Sequence, residues 1–439
     1  MFTSSARRLA RRASLNLQEL SARTVPAVIV TKLDLDGDDM ADDIRITGDL
    51  GNNKVTIHDD GVGLLQVQID ANGDGDFADP KDLNAKFAFT KNSVVLELNL
   101  GAGNDSVQYV VDGNINMTGS ARTVTANLGG GNDTFGWDMA THLIGNQSRV
   151  SLDIATGLGA DTANVTFAAV DGSAVAVRTD LGAGIDTYDL AFGQIDHKAS
   201  VDVDTDLGAG PNTHTATFLG VGKFEKAVMD MVIVGGNQKD TVTVHLNDDV
   251  GGGVFASRVG VSVDLLAGDD VFKGILDAGG AGVFLVDDHS QASIAVRGGA
   301  GNDNLSVSRD GTTLMRIDPD GLLDIGLDGG LGNDTVGVNF GGTDAWSLIG
   351  TMRVRLNGGF GSDALNCLLS NNASTTGVYD VAVRGGDGTD SVTFALNNNG
   401  GTPSFGPALG VILDGGTGTD ALTNGTPQVT IKTAFETIA

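Results

Sequence analysis

Acidic side chains recur along this chain at near-constant intervals. Asp105, Asp133, Asp161, Asp186, Asn212, Asp240, Asp270, Asp303, Asp334, Asp363, Asp390 and Asp420 follow one another at steps of 28, 28, 25, 26, 28, 30, 33, 31, 29, 27 and 30 residues. A carboxylate offers hard oxygen ligands. The chemistry open to such a series is the binding of a hard cation, and flexible oxygen-rich loops favour calcium over magnesium. Acid–base catalysis is harder to read here, because carboxylates are so widespread that no catalytic pair stands apart from the rest.

What must position these residues is legible around each marker. Seven and nine residues before it lie apolar residues, as with Leu98 and Leu96, Ile154 and Leu152, Leu327 and Ile325. Two and four residues after it lie another pair, as with Val107 and Tyr109, Phe135 and Trp137, Val336 and Val338. Period-two alternation on both sides of a glycine-rich turn predicts strand, turn, strand. A repeat of this length predicts a solenoid, not a single globular core. The expected fold is all-β, a parallel β-helix with about 28 residues per coil. Stacked at about 4.8 Å per coil, it makes a rod on the order of 60–70 Å long.

The fullest copies read RGGAGNDNLSV up to Val307, DGGLGNDTVGV up to Val338, NGGFGSDALNC up to Cys367, RGGDGTDSVTF up to Phe394 and DGGTGTDAL up to Leu422. They resemble the GGxGxD repeat of RTX proteins. That resemblance implies calcium held between stacked glycine turns by Asp side chains and backbone carbonyls. It marks Asp105, Asp133, Asp161, Asp186, Asp270, Asp303, Asp334, Asp363, Asp390 and Asp420 as metal ligands. The spacing departs from the family, whose nonapeptides run in tandem. Here the motif comes once per coil, so one edge at most can carry a metal column. Between Asp186 and Asp270 the pattern degenerates: Pro211 and Asn212 stand at one marker, and Asn237, Gln238 and Lys239 replace glycine positions. The apolar columns continue through Val203, Ile233 and Val244, so metal is not expected at every turn.

A second metal candidate is Asp70-Ala-Asn72-Gly-Asp74-Gly-Asp76-Phe-Ala-Asp79. It resembles the EF-hand or dockerin loop, with oxygens at alternate positions and Gly75 where the sharp turn falls. Lys81 stands where that family has a bidentate Glu, and Asp79 or Asp82 is the expected substitute. Asp34, Asp36 and Asp38 form a looser acidic group that reads as a solvated turn.

Composition narrows the function. The net charge is −29 and Gly numbers 65 of 439 residues. Of 56 acidic residues only Glu19, Glu97, Glu225 and Glu436 are glutamates. An Asp bias of this kind points to turns or to metal. The acidity argues against a nucleic-acid partner, and no apolar run reaches the length of a membrane span. The single cysteine, Cys367, falls in an inward column and reads as a core residue. The six histidines are isolated, without zinc spacing, and His214 falls in an apolar column.

Residues 1–25 form a basic leader, helical or disordered; 26–95 read as degenerate first coils containing the EF-hand-like loop; 96–439 form the repeat solenoid. Within the leader, LNLQELSARTVPAV resembles the LExLExRTVPA segment of exported bacterial surface proteins, with Ser21 and Ala22 departing from its acidic pair. The expectation is a secreted or cell-surface bacterial calcium-binding rod with a structural or adhesive role. Its partners would be cell-surface polysaccharide, other surface proteins, or further copies end to end. The alternatives are a β-helix enzyme acting on acidic polysaccharide, and a solenoid that needs no metal.

Overall fold

The computed structural model describes residues 28–37, 39–70, 77, 82–89, 93–218, 224–247, 253–255, 257–277, 283–287, 289–309, 314–341, 347–371, 377–398, 410–424 and 431–438. They form a parallel β-solenoid. One sheet has 15 strands and a second has 16, and each coil contributes a strand to both. Arg149–Ala155 exemplifies the first sheet, with alternate residues buried, and Thr162–Asp171 continues into the second. Registry is strict from coil to coil: Leu152 stands between Val124 and Val177, and Val165 between Trp137 and Leu190.

The predicted inward columns are the core. Leu96, Leu98, Leu152, Ile154, Ile325, Val336, Val338 and Phe394 are all essentially inaccessible. Because the strands are in register, like side chains stack along the rod. Tyr109 lies on Trp137 with ring centroids 4.4 Å apart, and Phe167 lies on Phe192 at 4.9 Å. Aromatic stacking of this kind adds to the area each ring buries. Cys367 and His214 sit in these columns, both at 0 % exposure.

Two features were not expected. A third, short sheet joins Phe224–Glu225, Gly253–Phe255, Val283–Val286, Leu314–Ile317 and Ser347–Leu348. It falls between Asn212 and Asp363, a stretch that includes the two widest marker steps, 33 and 31 residues, and it gives those coils an added side. The second concerns the early segment, read as degenerate coils. Asp43–Thr47 and Lys54–Asp59 do pair in parallel with the next coil. Ile29–Leu33, Leu64–Asp70 and Leu83–Ala88 instead run antiparallel. The cause is local. Asp60 Oδ1 accepts the backbone N–H groups of Val62 and Leu64, both at 2.9 Å, so the chain reverses in a tight turn and does not continue around a coil. Antiparallel cover of this kind occupies sheet edges that would otherwise offer free backbone groups.

The leader, and Asn72, Asp74, Asp76 and Asp79 of the EF-hand-like loop, lie outside the described residues. Asp70 ends the strand Leu64–Asp70 and is fully buried. No described helix is long and apolar enough to cross a membrane.

Candidate functional site: the aspartate ladder of the glycine edge

The marker residues form one continuous row. The backbone N–H of each donates to Oδ1 of the marker in the next coil, from Asp105 to Asp133 and onward to Asp420, at 2.6–2.9 Å. The row starts at Asn53, whose N–H donates to Asp105 Oδ1, and ends at Glu436, whose Oε2 accepts from Asp420. Each marker is at most 2 % exposed. The side chains tuck inward beneath the turn.

The turn must bring backbone against backbone for this to happen. At Gly301, φ is +142°, and a Cβ placed there would lie 1.5 Å from the carbonyl oxygen of Gly268 in the coil before. Glycine is the residue that satisfies both demands.

One carboxyl oxygen per coil is then left over. Oδ2 of Asp105, Asp133, Asp161, Asp186, Asp270, Asp303, Asp334, Asp363, Asp390 and Asp420 is buried with no hydrogen-bond donor facing it. Asp240 differs, because its Oδ2 accepts the N–H of Gly236 at 2.8 Å. Asn212 shows what surrounds the second atom of a marker side chain. Its Oδ1 takes the ladder bond from Asp186, and its Nδ2 donates to the carbonyls of Leu207 and Gly210 at 2.7 and 3.0 Å. Oδ2 of Asp303 packs against Gly298, also five residues upstream, where an added Cβ would lie 2.3 Å from it. Asp334 on Gly329 and Asp363 on Gly358 repeat this at 2.4 Å. The ladder carboxyls therefore point a second oxygen at backbone.

A charged carboxylate is disfavoured in such a place. Burial pushes Asp133, Asp186 and Asp334 up to about 6 and Asp270 up to about 7, with neighbouring ladder carboxyls adding to the rise. Burial also raises Asp105, Asp161, Asp240, Asp303, Asp363 and Asp390. Two things can occupy the space between Oδ2 and a carbonyl: a proton or a cation. At Asn212 two carbonyls face the second atom of the side chain; one carboxyl oxygen and two carbonyls would make about half the six to eight oxygens calcium takes.

A second, outer ladder was not foreseen. The residue before the marker projects to the solvent side. There Asn132 N–H donates to Asn104 Oδ1 at 2.8 Å and Ala160 N–H to Asn132 Oδ1 at 2.9 Å. Asn302, Asn333 and Ser362 repeat this beyond Asp269. The signal was the Gly-Asn-Asp triplet, which recurs at Asn104, Asn132, Asn302 and Asn333.

Elsewhere among the described residues, one group of three carboxylates has oxygens all within 4.8 Å of one another: Asp34, Asp36 and Asp43. Asp43 is buried and accepts the N–H groups of Leu35 and Asp36 at 2.5 and 3.1 Å. It joins two members of the looser acidic group, while Asp38 lies outside the described residues. His214 stacks on Tyr188 with centroids 4.6 Å apart, and burial lowers it to about 4. Burial raises the Cys367 thiol to about 12. Both are core residues. No protein-family model matches this chain, and no curated protein matches its sequence.

Proposed function

We propose that the chain is a structural rod with an adhesive surface, working outside a bacterial cell or on its surface, and that its glycine–aspartate edge is an internal fastening whose carboxyls carry protons. The observation that carries this reading is Asn212. A side-chain amide has the shape of a protonated carboxyl, and at this coil it closes the ladder with two donated hydrogen bonds. The stack runs through that coil without a break in registry. The export-type leader sequence supports the location.

The second reading is calcium on the same oxygens. It is favoured by the net charge of −29 and by a donor set made wholly of oxygen. Asp105, Asp133, Asp161, Asp186, Asp270, Asp303, Asp334, Asp363, Asp390 and Asp420 would hold the ion, with water or further carbonyls completing its shell. Calcium would neutralise the carboxylates and stabilise the folded state by binding it in preference to the unfolded chain.

Calcium titration by calorimetry, with melts at pH 5 and pH 8 and a magnesium control, separates the two. The proton reading expects no calcium uptake at millimolar concentration and a higher melting temperature at pH 5. Uptake of several ions per chain, reduced by Asp303→Asn and Asp334→Asn, would replace it with the calcium reading. A melt indifferent to both calcium and pH would sink both accounts of the ladder.

A further inference from the structure

The outward face of the 15-stranded sheet carries a groove of 410 Å³ that the ladder does not use. Strand registry fixes its layout. Its floor is a row of mostly small residues, including Ala295, Gly326 and Ala382, on consecutive strands apart from Arg355 between the last two. Along one wall run Asp264, Arg297, Asp328, Asn357 and Arg384, one per coil.

The arginines are unusual for this chain. Arg353 and Arg355 are held by Asp324 and Asp380. Arg297 and Arg384 line the groove, are exposed, and form no ion pair among the described residues. Two unpaired guanidinium groups on one face of a chain of net charge −29 are a local exception to its field. They stand three coils apart, about 14 Å at 4.8 Å per coil. A ligand that meets both must be extended and lie along the rod axis.

The alternation narrows the ligand. Arginine forks prefer carboxylate or another planar anion. Asp264 and Asp328 stand beside them and repel an unbroken line of charge, which disfavours a nucleic acid or polyphosphate. The same acids accept hydrogen bonds from hydroxyl groups. The backbone groups of the floor are already spent in the sheet, so a peptide could not add here as a strand. We propose that this groove binds a carboxylated polysaccharide lying along the rod. Arg297 and Arg384 hold two of its carboxylates, and Asp264 and Asp328 accept from its hydroxyls. This gives the adhesive role of the rod a ligand class, and rests on that reading only for where the rod meets its ligand.

The test is calorimetric titration of the full chain with oligogalacturonate in chelator, so that calcium cannot bridge the two. Its methyl-esterified form and a single-stranded oligodeoxynucleotide serve as comparisons. Saturable binding is expected for the acid form alone, weakening with salt. Arg297→Ala and Arg384→Ala should each weaken it about tenfold. Arg258→Ala, whose residue pairs with Asp230 elsewhere on the same face, should leave it unchanged. Gly326→Leu should abolish binding by filling the floor while the melting temperature holds. Absence of saturable binding, equal binding of the ester or the oligonucleotide, or indifference to both arginine substitutions would overturn the proposal. The melts bear on the rod and the titration on the groove, so either can fail alone.

Discussion

The side-chain amide of Asn212 donates to the carbonyl of Leu207 at 2.7 Å, in the place where neighbouring coils put an aspartate Oδ2. An amide is neutral at every pH, whereas an aspartate is neutral only when protonated. One coil in the row is therefore locked in a state that carboxyls such as Asp133, Asp186, Asp270 and Asp334 reach by titration.

The first prediction concerns pH. Burial raises Asp133, Asp186 and Asp334 to about 6 and Asp270 to about 7, above the ordinary value of about 3.9 expected unfolded, and shifts Asp105, Asp161, Asp240, Asp303, Asp363 and Asp390 in the same direction. A raised carboxyl stabilises the fold below its unfolded value, and that contribution is lost as pH climbs through the folded value. In chelator, the melting temperature should therefore fall between pH 5 and pH 8. His214, lowered to about 4, works the other way as pH drops below its unfolded value, but it is one group against several. Arg-paired Asp380 and Glu97 are shifted down, so their contribution is lost only under more acid conditions. Scanning calorimetry across the window checks this, and a melting temperature that rises towards pH 8 would contradict it.

The second concerns single rungs. Asp270→Asn should flatten the pH dependence and raise stability at pH 8 in chelator. Asp270→Ala should cost about 1–3 kcal/mol, because the N–H of Asp240 loses its acceptor inside the core. Asn212→Asp should steepen the pH dependence. Chemical denaturation at pH 5 and pH 8 reads all three.

The third concerns the turn backbone. Gly301→Ala should cost on the order of 3 kcal/mol or more, since the methyl meets the Gly268 carbonyl directly. Leu266 holds φ of +65° at the position that glycine fills in other copies, as at Gly299. Leu266→Gly should be stabilising by about 1 kcal/mol through relief of that conformation. Equal effects of the two substitutions would show that the turns do not approach as closely as described.

The fourth concerns the beginning of the stack. Arg122 and Asp59 form an ion pair whose side chains are both 0 % exposed, and Tyr109 donates its hydroxyl to the same carboxylate at 2.8 Å. Arg122→Ala should cost about 3–5 kcal/mol by leaving a buried charge alone. The double variant Arg122→Met with Asp59→Leu should recover most of that loss. Denaturant melts of the single and double variants decide it.

Much of the fold was written in the period of the sequence. Leu152, Ile154, Val165 and their counterparts recur at fixed offsets from each marker, and an in-register parallel stack turns fixed offsets into columns. The third sheet was hidden because strands such as Val283–Val286 and Leu314–Ile317 are too short to show a period. The antiparallel start was hidden because the turn after Asp60 depends on one side chain catching two backbone groups. The ladder was harder still. In sequence an Asp after Gly-Asn looks like a solvated turn residue or a metal ligand. Only the depth of the stacked turn shows that its side chain faces inward. For the same reason Asn212 reads as a lost motif, although it keeps the row unbroken.

The two ladders also have direction. Every inner bond runs from a backbone N–H forward to the next coil, while the outer bonds from Asn132 to Asn104 and from Asn333 to Asn302 run backward. Aligned bond dipoles add, as they do in a helix, so two opposed rows along one edge largely cancel. The outer row lapses between Ala160 and Asp269, where Ile185, Pro211 and Lys239 stand in its place. Over that middle stretch the inner row is uncompensated. The glycine edge there has a net axial polarity, with a sense fixed by the order of the coils, that the stretches carrying both rows, from Asn104 to Ala160 and from Asp269 to Ser362, lack.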